Sequence, residues 1–199
     1  MRIAVIGWGS LIWCPGSLRI KSRWHRDGPM LPVEFARISD DGRLTLVLLP
    51  GVPKQMTYWA ESDFTDLDKA RDNLRIREGT SKDNVHSVDG EGQCIVKVHD
   101  DIRESIHAWL TERASILDAA VWTGLPSRWP KERGEFTPGD AAAYLLELEE
   151  RAGQARATLD RAREYVRNTP PQIQTTVRQM IRERLGWSDA ELPGILFED

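Results

Sequence analysis

The stretch Arg2 to Gly16, RIAVIGWGSLIWCPG, constrains the fold more than any other part of the chain. Ile3 to Gly7 are apolar or small and mostly β-branched, the composition of a strand buried on both faces, and the run then breaks into Gly-Trp-Gly-Ser. A strand that runs into glycines delivers a backbone loop to something. Gly7 and Gly9 carry no Cβ, so the chain there is free to take positive φ and a ligand can approach the amides closely. Ser10 adds a hydroxyl that donates and accepts, and successive N–H groups in such a turn form an anion-binding concavity. A dinucleotide fingerprint would need a third glycine and a helix opening on the loop. The third position here is Ile12, and Pro15-Gly16 arrives before another helical turn can form, so a nucleotide fold is set aside.

The elements that follow belong to an α+β protein. Ser17 to Pro32 is an irregular connection or a short edge strand. Val33 to Ile38 and Leu44 to Leu49 flank Asp41-Gly42, a hairpin signal, and Gln55 to Ala60 alternates as a third strand. Thr65 to Asp68 starts a helix whose apolar face is Leu67, Ala70 and Leu74 and which Gly79 can end. Ser81 to Gly92 is polar and without period, so a loop is expected. Cys94, Val96 and Val98 alternate as a half-buried strand. Asp101 opens a short helix with Ile102, Ile106, Trp109 and Leu110 inward, and Ala119 to Trp122 is the last strand.

The C-terminal third changes character. From Thr137-Pro138 onward, apolar residues at Ala141, Leu145, Leu148, Ala152, Ala155, Leu159, Ala162 and Val166 step by four and three. The pattern predicts one helix of roughly 28 residues, about 40 Å long. Thr169-Pro170-Pro171 ends it, and a second arm follows with Ile173, Val177, Met180, Ile181 and Leu185 inward, so a helical hairpin is expected. Pro193 to Asp199 reads as a tail. The division expected is residues 1–134 as one domain and 135–199 as a helical extension packed on it.

Two of these stretches resemble a known family. Gly7-Trp8-Gly9-Ser10-Leu11-Ile12-Trp13, with Pro15-Gly16 after it, resembles the GYGSLIW loop of ChaC-type γ-glutamylcyclotransferases and, more loosely, the YGSL loop of the wider γ-glutamylcyclotransferase-like superfamily. Some seventy residues on, Ala70 to Gly79, ARDNLRIREG, resembles that family's second signature, a helix ending in Leu-x-x-Arg-Glu. The resemblance implies a small, mostly antiparallel β-barrel with flanking helices, here extended by the C-terminal hairpin. It implies Glu78 as catalytic acid/base and the loop of Ile6, Gly7, Trp8, Gly9, Ser10 and Leu11 as the cradle of a γ-glutamyl substrate. The reaction implied is an intramolecular cyclisation that releases 5-oxoproline and a free amine or peptide, with no cofactor and no metal. Loop amides near Gly9 and Ser10 would serve the oxyanion or hold the α-carboxylate. The chain departs from the family in having Trp8 where a tyrosine is usual and no tyrosine shortly after Glu78. The second reading is therefore a non-catalytic module of the same fold that binds a small ligand or joins a partner.

Composition narrows the rest. At 199 residues with a formal net charge of -4, the chain has no basic excess to suggest nucleic acid. The opening apolar run is punctuated and lacks a cleavage site, and no run reaches membrane-spanning length. Cys14 and Cys94 fit no metal spacing, and His25, His86, His99 and His107 are dispersed. The expectation is a cytoplasmic protein with reduced thiols and a small γ-glutamyl substrate, without nucleic acid or membrane partner, whose C-terminal helices offer a homodimer interface.

Overall fold

The computed structural model describes residues 1–198; Asp199, the end of the expected tail, lies outside the described residues. Among the described residues the strands are β1 (Ile3–Gly7), β2 (Met30–Leu31), β3 (Val33–Ile38), β4 (Leu44–Leu48), β5 (Gln55–Met56), β6 (Tyr58–Glu61), β7 (Val85–Asp89) and β8 (Ala119–Thr123). The α-helices among them are α1 (Leu67–Glu78), α2 (Asp100–Glu112), α3 (Pro138–Glu150), α4 (Ala152–Asn168) and α5 (Thr176–Leu185). The architecture is mixed α+β.

The expected closed barrel is not what forms. The strands make three separate sheets: a four-stranded one in the order β6-β1-β8-β7, and two ribbons, β2-β5 and β3-β4. β1 lies inside the main sheet, antiparallel to β6 and parallel to β8, and all five of its residues are buried. The segment expected as a single third strand is split, because Gln55–Met56 pairs with β2 while Tyr58–Glu61 turns to pair with β1. Thr57 between them is fully buried, and its hydroxyl donates to the Pro29 carbonyl at 2.7 Å, so the chain changes sheets around a satisfied polar group.

Two more expectations are corrected here. The supposed loop at Ser81 to Gly92 contains β7, an edge strand paired antiparallel with β8; Ser87 sits fully buried in it, which hides the alternation from a hydropathy reading. Conversely, Cys94, Val96 and Val98 form no strand and touch the sheet through one bridge, Val88 to Cys94. The tail is also not free. Phe197 is buried, and Trp24 exchanges backbone bonds with Leu196 and Glu198 at 2.9 and 3.0 Å.

The long seam does not make one helix. The chain breaks at Arg151, and Ala155 leaves helical dihedrals with φ -109° and ψ 17°. Arg163 on α4 reaches Glu149 on α3 at 2.8 Å. In a continuous helix those residues would stand about 21 Å apart. The seam therefore folds back on itself, and α3 with α4 is the hairpin. Gly153, with no side chain to pack or to restrict it, lies at the reversal and lowers the helical preference there. The inward residues Ala141, Leu145, Leu159, Ala162 and Val166 join Ile173, Val177 and Ile181 in the same apolar core as the main sheet.

Candidate active site

Sheet register brings the two signature stretches together. β8 runs parallel to β1 with Val5 opposite Val121, so both strands end at one edge of the sheet, β1 at Gly7 and β8 at Thr123. β7 runs the other way and begins at that edge, with Val85 opposite Thr123. α1 precedes β7 by a short connection, so its C-terminal end is delivered to the same edge. Arg71, buried on α1, fastens the join by donating to the Val85 carbonyl through Nη2 at 2.9 Å and Nε at 3.2 Å.

α1 itself is built as its sequence suggests. The Asp66 side chain caps it by accepting from the Lys69 amide at 2.9 Å, and Gly79 ends it in the left-handed conformation at φ 62°. Ala70 and Leu74 face the core, and Glu78 follows on the same stride of four. The Glu78 side chain is consequently only 14% exposed. Its carboxylate lines a slot of about 50 Å³ together with Trp8, Gly9, Ser10 and Leu11 of the glycine loop. Ile6 and Gly7, the other two loop candidates, belong to β1 and do not line it: Ile6 is fully buried opposite Trp59, and Gly7 lies under the Trp24 ring.

The loop closes into a single helical turn, with the Ile12 amide bonded to the Gly9 carbonyl at 3.0 Å and the Cys14 amide to the Ser10 carbonyl at 2.9 Å. The amides of Gly9, Ser10 and Leu11 donate no hydrogen bond among the described residues. Neither glycine takes positive φ. Their lack of a Cβ serves close approach instead: a Cβ on Gly7 would lie 2.9 Å from the Trp24 ring, and one on Gly9 would lie 2.6 Å from the Tyr165 hydroxyl.

One guanidinium ties loop and helix together. Arg77 donates to Glu78 Oε1 at 2.6 Å, to Ser10 Oγ at 3.1 Å and to the Cys14 carbonyl at 2.6 Å. Because Ser10 Oγ accepts from Arg77, its own hydrogen is left to donate. Glu78 Oε2 accepts nothing among the described residues.

The remaining walls come from parts of the chain that no motif marks. Leu46 and Val47 of β4, Thr123 at the end of β8, Leu125 and Tyr165 of α4 complete the slot. Tyr165 packs edge-on against Trp13 and Phe35 at 5.3 and 6.2 Å between ring centroids. Burial pushes its phenol up to about 12, with the nearby Glu78 charge acting the same way, so Tyr165 presents a neutral hydroxyl. The Thr123 hydroxyl is buried in the slot wall without a protein partner among the described residues. Outward from Ser10, Leu46, Glu78, Leu125 and Tyr165 the slot opens into a cleft of about 890 Å³. Arg37, Arg43, Arg77 and Arg161 line that cleft with Asp40, Asp41, Glu164 and Glu191.

Tyr165 and Thr123 each carry a signal that could have been followed. Tyr165 is an aromatic beside the apolar stripe Leu159, Ala162 and Val166. Thr123 ends a strand that register places beside the glycine loop.

No protein-family model matches the chain, and no curated protein sequence does. Among solved structures, the chain is similar to a selenomethionine-labelled γ-glutamyl cyclotransferase specific to glutathione from yeast, at 15% identity, over 82% of this chain and 96% of that one, with a TM-score of 0.37. A likeness of that size leaves function to the side chains in the slot. No described helix is long and apolar enough to cross a membrane.

Proposed function

We propose that the slot cyclises a γ-glutamyl compound, releasing 5-oxoproline and a free amine or peptide. The observation that carries this reading is the meeting of the Glu78 carboxylate with the uncommitted amides of Gly9, Ser10 and Leu11 in one small, largely apolar slot. In such a substrate the nucleophile and electrophile are already tethered, so positioning supplies much of the rate. The α-amine attacks the γ-carbonyl carbon, a C–N bond forms to close the five-membered lactam, and the γ-amide C–N bond breaks. Two proton transfers remain. Glu78 takes a proton from the attacking amine and gives one to the leaving nitrogen, acting as base and then acid through its free Oε2. Arg77 holds the other oxygen and so fixes the carboxylate's direction.

The tetrahedral oxyanion needs donors, and the loop amides with the Ser10 hydroxyl are suited to that or to the α-carboxylate. Tyr165, neutral and beside Gly9, brings a phenol hydroxyl to the slot, where Trp8 offers none. The resemblance of Gly7 to Trp13 and of Ala70 to Gly79 to the γ-glutamylcyclotransferase-like signatures agrees with this chemistry.

The test is to incubate the protein with a panel of γ-glutamyl amines, amino acids and peptides and follow 5-oxoproline by mass spectrometry. Turnover by the wild type that falls at least about 100-fold in Glu78→Gln supports the reading, general acid–base groups commonly contributing that much or more. Binding of panel members with no product from any of them would replace it with a ligand-binding module of the same fold.

A further inference from the structure

Four arginines line the outer cleft, and three of them are already paired there. Arg43 and Arg161 both reach Asp41, at 2.9 and 3.4 Å, and Arg77 is held by Glu78 at 2.6 Å. Arg37 is different. It is 8% exposed, its Nε is buried with no partner, and its guanidinium makes no hydrogen bond or ion pair among the described residues. Asp40, the acid whose charge acts most on it, is engaged by Arg128 at 2.5 Å.

A buried Nε–H without an acceptor is costly, because it has given up water for nothing, and the terminal nitrogens of the same guanidinium have no protein acceptor among the described residues. The fold nevertheless holds it in place. β3 and β4 shift register between Phe35 and Arg37, and the Ala36 carbonyl at that irregularity accepts from Ser127 Oγ at 2.5 Å. Such a bulge re-aims the side chain that follows it. Arg37 thereby lines the outer cleft, while it takes no part in lining the inner slot.

That division sets which half of a substrate Arg37 meets. Proton transfer by Glu78 requires the γ-amide to lie where slot and cleft join, with the γ-glutamyl head inward against the glycine loop. The leaving half then extends outward past Arg37. We propose that Arg37 is the specificity-determining residue of this cleft, receiving a carboxylate carried by the leaving half, so that γ-glutamyl amino acids and peptides are preferred over uncharged γ-glutamyl amines. This rests on the γ-glutamyl reading above. A guanidinium suits the task because it can give two parallel hydrogen bonds to one carboxylate.

The experiment compares γ-glutamylglycine with γ-glutamylethylamide, which differ chiefly by that carboxylate, as the ratio of their kcat/KM values. The wild type should favour γ-glutamylglycine by about tenfold to a hundredfold, the range for a hydrogen bond to a charged group. In Arg37→Gln the ratio should fall to within about threefold of unity, and Arg37→Lys should keep part of it. Because the ratio is internal to each preparation, a variant that folds poorly loses both activities alike and leaves the ratio readable. A wild type without preference, or an Arg37→Gln variant that keeps the full ratio, overturns the proposal. Should no 5-oxoproline form from either compound, the cyclisation reading fails on its own. Calorimetric titration of the same pair then decides Arg37: a Kd preference that Arg37→Gln abolishes sustains its carboxylate role, and equal Kd values end it.

Discussion

Gly9→Ala offers a sharp test of how the slot is assembled, because the structure states which atom the new methyl would meet. A Cβ on Gly9 would stand 2.6 Å from the Tyr165 hydroxyl oxygen, about 0.8 Å inside ordinary contact, while the next atoms, Tyr165 Cζ and Leu46 Cδ1, are at 3.6 and 3.9 Å. The phenol cannot simply retreat, since Tyr165 is 8% exposed and wedged between Trp13 and Phe35. Overpacking of this kind costs about 1–3 kcal/mol. The backbone adds no penalty, as Gly9 does not lie at positive φ. Deleting only the hydroxyl should therefore cure the defect. In a Tyr165→Phe background the Cβ meets nothing nearer than 3.6 Å, and Gly9→Ala becomes neutral or stabilising by up to about 1 kcal/mol through the restricted unfolded chain.

The four proteins form a double-mutant cycle, read by urea denaturation. A coupling of about 2 kcal/mol is expected, which at a slope of about 2 kcal/mol per molar is about 1 M in midpoint. If Gly9→Ala is as damaging in the phenylalanine background as in the wild type, α4 does not seat its hydroxyl over the glycine loop and the description of the slot fails.

Two further predictions concern how the C-terminal helices are attached. Glu34 is 1% exposed on β3 and accepts from the amides of Phe35 at 2.8 Å and of Thr176, at the start of α5, at 3.1 Å; burial outweighs these bonds and raises its pKa. Its folded value exceeds the unfolded one, so its contribution is most favourable below the ordinary carboxylate range and declines as pH rises from there through the raised value. Glu34→Gln should flatten the fall in Tm across that window; an unchanged slope would remove Glu34 as its source. Arg178 is fully buried and donates to the carbonyls of Thr169, Pro170 and Ile173 at 2.6, 2.7 and 2.7 Å, so Arg178→Met should cost about 3 kcal/mol or more by denaturant titration, and a loss under about 1 kcal/mol would show those carbonyls to be satisfied without it.

What was legible in the sequence was local. The strand Ile3–Gly7, the Asp41-Gly42 hairpin, the Gly79 helix end and the inward face Ile102, Ile106, Trp109 and Leu110 each follow from a period or a turn residue that acts over a few positions. The failures all concern long-range choices. Whether three sets of strands close into one barrel depends on pairing partners, and nothing in Gln55 to Glu61 announces that Thr57 will be buried at a change of sheet. The seam from Ala141 to Val166 keeps the same four-and-three steps whether it runs straight or doubles back at Gly153, because both arms bury the same face. Periodicity records which side is apolar and is silent on what covers it.

The slot inherits this limit. Trp8 to Leu11 and Glu78 could be named because each belongs to a motif, whereas Tyr165 and Thr123 reach the slot, and Arg37 the cleft outside it, only through the folding back of α4, the end of β8 and a register shift in β3. The doubling back of the helix has a chemical consequence: a straight arm of about 40 Å would carry Tyr165 away from the sheet edge, and the folded one sets its hydroxyl over Gly9. The C-terminal helices are thus part of the slot as well as of the core. A chain ending at Gly134 would keep the Glu78 carboxylate and the loop amides yet lose Tyr165, the wall that narrows the slot where it meets the cleft. Exposed to water, those amides and that carboxylate would act in a high dielectric, where an oriented donor stabilises a developing charge far less than it does in a closed site.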